Sequence, residues 1–414
     1  MRSSLACGAA LKCGAAFVVS LSFIGCSGSS APSLPTSGAA AQFVAMQPTV
    51  APAAAFAAQR AKPDSARAMA VTPLCPLANI GPDIAACNSL LRSDIVANPN
   101  PLVALTSLPG YHPDDLRAAY GVTDAARSGG AGQTVAVVVA YDNPLIETDL
   151  AIYRAEFGMA PCTRINGCIK VVRQDGTPLN LSAAWEAESD LDVEMVSAMC
   201  PHCHIIVSEA RSDKIGDLAG AAGAAVAAGA TVVSNSYSTT EDAASLAYDH
   251  FYNAPGVPMT AGGGDNGYGA SYPASSQYVT AVGGTTLAMS GGSVSSESVW
   301  SSSGGGCSSV VAQPAWQTGT SCSTRATNDV AVVGDPATPV SAYLTTFGGW
   351  NLLGGTSVGA PLVAALYALA GNGASTGGPA ALYADPSGFR SVPGSVAGYA
   401  GAAGLGAPLG IGAF

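Results

Sequence analysis

The sequence predicts an α/β protein built on a mostly parallel sheet with helices on both faces. Three observations carry this. From Tyr111 onward, β-branched runs alternate with longer stretches of helical spacing, the pattern of strand–helix–strand units. The run 134–140, TVAVVVA, is continuously apolar, as expected of a strand buried on both faces. Finally, 50 glycines and 27 prolines exclude a long coiled coil. The elements then follow in order. Pro144 opens a helical stretch in which Leu150, Tyr153 and Phe157 recur at helical spacing. Residues 169–172 and 205–208 read as strands, with a helix over 186–199 between them. A second helix is expected over 213–228, and short strands at 231–234, 259–261 and 279–282. Residues 362–370 are apolar all round and predict a buried helix. No internal repeat is visible.

The 414 residues leave room for one large domain or two ordinary ones. The net charge is −11, with 10% charged residues and no basic block. That excludes a protein that binds nucleic acid through phosphate contacts.

Residues 1–26 read as an export signal. Arg2 and Lys12 supply positive charge, and the apolar stretch 17–24 is too short to span a bilayer. Gly25-Cys26 closes it like a bacterial lipobox, which would make Cys26 a lipidated membrane anchor. An ordinary signal cut nearby is the plainer alternative. Residues 27–70, rich in Ala, Pro, Ser and Thr, form a low-complexity tether or leader. Residues 71–110 form an extended, cysteine-containing segment, and 111–414 the main domain. Beyond the signal region eight cysteines remain, in four sequence-local pairs: 75/87, 162/168, 200/203 and 307/322. An even number in an exported chain favours disulfides, although eight cysteines allow 105 connectivities. The motif Cys200-Pro-His-Cys-His204 admits a redox dithiol or a metal site, but a small structural bridge fits better. Four ligands within five residues do not easily surround one tetrahedral ion.

Three places carry candidate chemistry. Ser357 lies in 355–361, GTSVGAP, directly before the buried helix. Unpaired N–H groups at a helix start favour developing negative charge, which suits a nucleophile beside an oxyanion site. Pro361 is expected in the first turn, where it is tolerated. A plain N-cap serine is the competing reading. The residues also match the G-x-S-x-G elbow of α/β-hydrolases, but that fold needs a histidine after the serine, and none follows His250. A subtilisin-type histidine element, His-Gly, is absent as well. A carboxylate base is the remaining option. Glu186, Glu188, Asp190, Asp192 and Glu194 form a dense acidic run in a charge-poor chain. On a helix, Glu188 and Asp192 share a face one turn apart, so each raises the proton affinity of the other. For the run alone, a solvated acidic face is the plainer expectation. Asp265 sits in the glycine loop 262–267, GGGDNG. Protonated, it could stabilise an oxyanion; an Asx turn is the alternative.

As an ordered set, 188–192 (ESDLD), 261–267, 272–285 (YPASSQYVTAVGGT) and 354–361 (GGTSVGAP) resemble the sedolisins, the serine-carboxyl peptidases, over residues 111–414. The resemblance implies a subtilisin-like three-layer fold and endopeptidase action on proteins or peptides at acidic pH. It makes Ser357 the nucleophile, with Glu188 contacting it, Asp192 supporting Glu188, and Asp265 serving the oxyanion. Cys162/Cys168 and Cys200/Cys203 look like pairs in shorter bacterial members.

The chain departs from the family in three places. Gly-Gly-Gly-Asp-Asn-Gly stands where Ser-Gly-Asp-Ser-Gly is usual. Ser391 and Ala400 stand where the calcium carboxylates belong, so that site is expected to be lost and no cofactor is implied. The segment before Tyr111 is shorter than the family's folded propeptide. A sedolisin-like surface protein that binds without turnover is the alternative these departures motivate. A carboxylate-pair glycosidase fits poorly, because Glu188 and Asp192 share one helix face rather than flanking a substrate.

Overall fold

The computed structural model describes residues 69–76, 81–95, 108–174, 176, 180–371 and 378–414. The expected export signal with Cys26, and the leader up to residue 68, lie outside them. Three short strands come first: β1 (Val71–Pro73), β2 (Ala86–Cys87) and β3 (Leu90–Arg92). Helices α1 (Pro113–Ala119) and α2 (Thr123–Ser128) lead into β4 (Thr134–Ala140). Then α3 (Ile146–Glu156), β5 (Ile169–Arg173), α4 (Ala183–Met199), β6 (His204–Ala210), α5 (Ile215–Ala227) and β7 (Val232–Asn235) alternate. Next come β8 (Tyr237–Thr240), α6 (Asp249–Tyr252), β9 (Met259–Gly262), β10 (Ser271–Tyr272) and β11 (Val279–Ser290). The rest holds β12 (Ser293–Val299), β13 (Gly306–Ala312), β14 (Thr324–Thr327), β15 (Val330–Val333), β16 (Val340–Leu344), β17 (Gly349–Gly354), α7 (Thr356–Ala370) and α8 (Pro379–Ala384).

The central sheet runs β12-β11-β9-β7-β4-β6-β5, with β15 also paired to β11. Its pairs are parallel except β11 with β12. Every residue of β4 after Thr134 is buried, whichever face it points to, so both sides of the sheet are covered. Helices α4 and α7 pack against each other, and α7 lies along β7, β9 and β11. Helix α5 packs on β4 and β6. The expected α/β fold with a mostly parallel sheet is what forms.

Three local expectations change. The strand expected at 279–282 continues to Ser290, because after Val282 it leaves β9 and finds partners in β15 and β12. Pro361 is the sixth residue of α7, not part of its first turn. Its missing N–H falls at the position that would bond the Ser357 carbonyl. The acidic run is not a solvated face: every residue from Trp185 to Met199 is buried, because α4 lies among α1, α3, α7, β4 and β16.

All four sequence-local cysteine pairs are disulfides: Cys75–Cys87, Cys162–Cys168, Cys200–Cys203 and Cys307–Cys322. The Cys200–Cys203 bridge leaves no thiolate there for a metal. The described residues before Tyr111 pair with the domain's strands. β1 pairs with β3, β3 with β17, and β2 with β8. Among the described residues no helix is long and apolar enough to cross a membrane.

Candidate active site

The site forms where α4 meets the start of α7, beside the ends of β7 and β9. Gly355 turns the chain from β17 into α7 at φ 99°, a left-handed conformation that favours glycine. A methyl group there would also collide with the Asn88 carbonyl oxygen and lie 2.6 Å from Asp265 Oδ2. Ser357 is therefore the second helical residue, wholly buried. Its N–H is one of the first-turn donors that no helical carbonyl can reach, and it donates to Asn88 O at 3.0 Å. Its hydroxyl donates to Ser236 O at 3.0 Å.

Glu188 faces this hydroxyl from α4. Both of its oxygens are buried and neither makes a hydrogen bond. Burial raises its proton affinity, while the nearby Ser357 and Ser89 hydroxyls partly oppose the rise. Asp192, one turn on, is raised by burial and then by the Glu188 charge. Its Oδ1 accepts from Ser236 Oγ at 2.6 Å, and its Oδ2 has no partner. Ser236 thus bridges the serine and the second carboxyl, through its carbonyl on one side and its hydroxyl on the other.

Asp265 enters from the loop after β9. Its Oδ1 accepts from Thr356 N (2.8 Å) and Thr356 Oγ1 (2.9 Å), a partner 91 residues away, so the local Asx-turn alternative does not hold. Gly264 N donates to the same Thr356 hydroxyl at 3.1 Å, which fixes the loop. Oδ2 is buried and unpartnered, and burial pushes the carboxyl up to about 7 despite the two Thr356 bonds. A neutral carboxyl with Oδ1 accepting has its proton on Oδ2, the oxygen beside Gly355 and the Asn88 carbonyl.

All four residues singled out in the sequence come together here. The remaining acids of the run do not. Glu186, Asp190 and Glu194 point the other way, to Thr346, Asn143 and the Tyr343 N–H. The sequence reading missed Ser236, Thr356 and the passage of Asn88 and Ser89 through the site. A signal for Ser236 exists in 234–238, SNSYS, a polar string directly after the buried strand β7. Ser391 and Ala400 are both exposed, on either side of the turn that Val396 and Tyr399 close.

No family model matches the chain. Its sequence is similar to kumamolisin of Bacillus sp. (strain MN-32), 32% identical over 295 residues, which cover 62% of this chain and 51% of kumamolisin. It is similar to xanthomonalisin of Xanthomonas sp. (strain T-22), 37% identical over 24% of this chain and 14% of the relative. It is also similar to sedolisin of Pseudomonas sp. (strain 101), 36% identical over 28% of this chain and 22% of that protein. The chain spans about half the length of kumamolisin, and less of the other two. Among solved structures it resembles Pseudomonas sedolisin, a serine-carboxyl proteinase, in complex with pseudo-iodotyrostatin. There the TM-score is 0.63 at 23% identity, over 72% of this chain and 95% of that one, a likeness of fold.

Proposed function

The chain belongs to the sedolisin family, and from that premise we propose that it is a serine-carboxyl endopeptidase acting on proteins or peptides in acid. The observation that carries the reading is the serine's setting. Ser357 faces the unpartnered Glu188 carboxyl on one side, and on the other its N–H bonds the Asn88 carbonyl, which stands with the unpartnered Oδ2 of Asp265 over Gly355.

In the proposed mechanism Ser357 Oγ attacks the substrate carbonyl carbon while Glu188 takes its proton. It does so in its ionised form, the minor one in acid, which burial makes a stronger base than a solvated carboxylate. Asp192 holds the second proton of the pair, so that the base is not left as two adjacent charges. The oxyanion sits between the Ser357 N–H at the start of α7 and the Asp265 carboxyl, which is neutral below about pH 7. Glu188 then returns its proton to the leaving amine, and water resolves the acyl-enzyme in the reverse sense.

No step is assigned to a metal. Ser391 and Ala400 bring no carboxylate to the stretch where a calcium ion would be held, a donor set that does not suit that cation. We also place the protein outside the reducing cytosol, on the strength of the four disulfides. Lipid anchoring at Cys26 is a separate proposal, tested by intact mass of the membrane-extracted chain.

The deciding experiment is digestion of a denatured protein by the purified chain from about pH 3 to 8, with Ser357→Ala alongside. Cleavage in acid that vanishes in the variant supports the reading. A folded chain that cleaves nothing at any pH overturns it and leaves a binding role for the same cleft.

A further inference from the structure

A strand of the chain itself lies across the site. β2 pairs antiparallel with β8, Ala86 opposite Ser238 and Cys87 opposite Tyr237. Two residues on from Asn88, Leu90 lies opposite Gly354 of β17. The segment therefore has sheet partners on both sides of the Asn88–Ser89 bond, as an extended peptide added to a sheet edge would. Asn88 N donates to Ser236 O at 3.2 Å, and Asn88 O accepts from Ser357 N at 3.0 Å. The same carbonyl stands with Asp265 Oδ2 over Gly355. The Asn88 carbonyl thus accepts from one of the oxyanion donors assigned above, the Ser357 N–H, and lies near the other.

The Asn88 side chain occupies a narrow slot. Ser238 Oγ donates to its Oδ1 at 2.7 Å. A methyl group on Gly262 would come within 3.1 Å of its Nδ2, which is buried without a partner. A short carboxamide fits this slot and finds a polar contact at its tip, whereas a branched apolar side chain would leave the buried Ser238 hydroxyl unpaired.

We propose that the first substrate of the site is the chain's own Asn88–Ser89 bond, and that the slot formed by Ser238 and Gly262 selects asparagine immediately before the cut. The proposal rests on the peptidase reading of Ser357. Ser357 Oγ bonds to the Asn88 carbonyl carbon as its proton passes to Glu188. The bond to Ser89 N breaks, and that nitrogen takes the proton. One solvent water then hydrolyses the ester, leaving a carboxylate on Asn88 and restoring the Ser357 hydroxyl. The Cys75–Cys87 disulfide lies wholly before the cut, so it does not join the products. Pairing of β1 with β3, and the Leu74 N–H to Ser89 O bond of 3.0 Å, hold the cut segment in place. Until it leaves, other substrates are excluded from the same sheet edges.

The test incubates the purified full chain from about pH 3 to 8, denatures it without reduction, and reads intact mass and N-terminal sequence. The expected result is a chain beginning at Ser89, absent in Ser357→Ala. Asn88→Leu should form it about tenfold more slowly or less. In trans, the activated wild type should prefer a peptide copying residues 84–92 over its Asn→Leu counterpart by about tenfold, and Ser238→Ala should shrink that ratio several-fold. Cleavage at the same bond in Ser357→Ala would mean that Ser89 or another group attacks, and overturns the proposal. So does a wild type that digests denatured protein yet is cut elsewhere, or that shows no asparagine preference; the peptidase reading then stands alone. If nothing at all is cleaved, the peptidase reading itself has failed.

Discussion

Helix α4 carries two sets of buried carboxyls on opposite faces, and their contrast shows which of them suits the proposed mechanism. Glu186, Asp190 and Glu194 recur every four residues; Glu188 and Asp192 do the same, offset by two residues, or about 200° around the helix. Both sets are buried, with only Glu186 keeping a little exposure. Each member of the first set accepts at least one hydrogen bond, from Thr346 to Glu186, Asn143 to Asp190 and the Tyr343 N–H to Glu194, although Asp190 Oδ2 is left without a partner. The second set has a single bond from Ser236 to share among four oxygens. Burial raises the proton affinity of Asp190 and Glu194 as well as that of Glu188 and Asp192. A raised pKa therefore does not by itself mark the working face. The proposed mechanism instead selects the face whose unfilled hydrogen-bonding capacity lies next to a serine at a helix start.

The largest test of this contrast is loss of function. Ser357→Ala and Glu188→Gln should each lower kcat/KM on a peptide substrate by about 10³-fold or more, while circular dichroism spectra stay unchanged. An equal loss in Glu194→Gln would erase the distinction between the two faces. Next comes Asp265→Asn. Removing the acid should cost about 10²–10³ in kcat. In the wild type, activity should fall as pH rises through about 7, where Asp265 loses its proton and repels the oxyanion. An amide cannot ionise there, so the variant's residual activity should lack that alkaline limb.

Stability is a smaller test. Folded and unfolded chains both hold carboxyl protons well below pH 4. As pH rises past the ordinary carboxylate range, the unfolded chain releases protons that the buried Asp190, Asp192 and Glu194 retain, so unfolding becomes easier. Urea unfolding at pH 4.5 and 8 should show the protein more stable in acid, and a flat profile would contradict the burial of these groups. The smallest effect is expected of Glu194→Gln. The amide mimics the neutral acid and can still accept from Tyr343. It should change stability by less than about 1 kcal/mol at pH 4.5 and make the protein more stable than wild type at pH 8.

Much of this was legible in the chain. The run 134–140 predicts a strand, and β4 spans Thr134–Ala140. The spacing of Glu188 and Asp192 predicts a shared helix face, and both side chains reach the same site. The residues before the apolar run 362–370 predict a serine at a helix start, and Ser357 is the second residue of α7. What the pattern could not convey was the environment. An acidic run reads as a solvated face, because charged residues are rarely buried without partners. Here the partners, Asn143, Tyr343 and Thr346, come from distant strands and loops that no local spacing reveals. Asn88 and Ser89 carry no signature at all, since their place in the cleft depends on β2 finding β8 and β3 finding β17.

The sequence by itself determined the alternation of strands and helices, the order of the motifs and the residue types able to do acid–base and nucleophilic chemistry. These follow from short-range periodicity and composition, which each stretch carries in its own side chains. Only the tertiary structure decided which carboxyls were left without partners, that Thr356 holds Asp265 and Ser236 ties Ser357 to Asp192, and that the chain's own Asn88 carbonyl meets the Ser357 N–H. Those outcomes depend on contacts between residues tens to hundreds of positions apart, and packing alone brings them within hydrogen-bond reach.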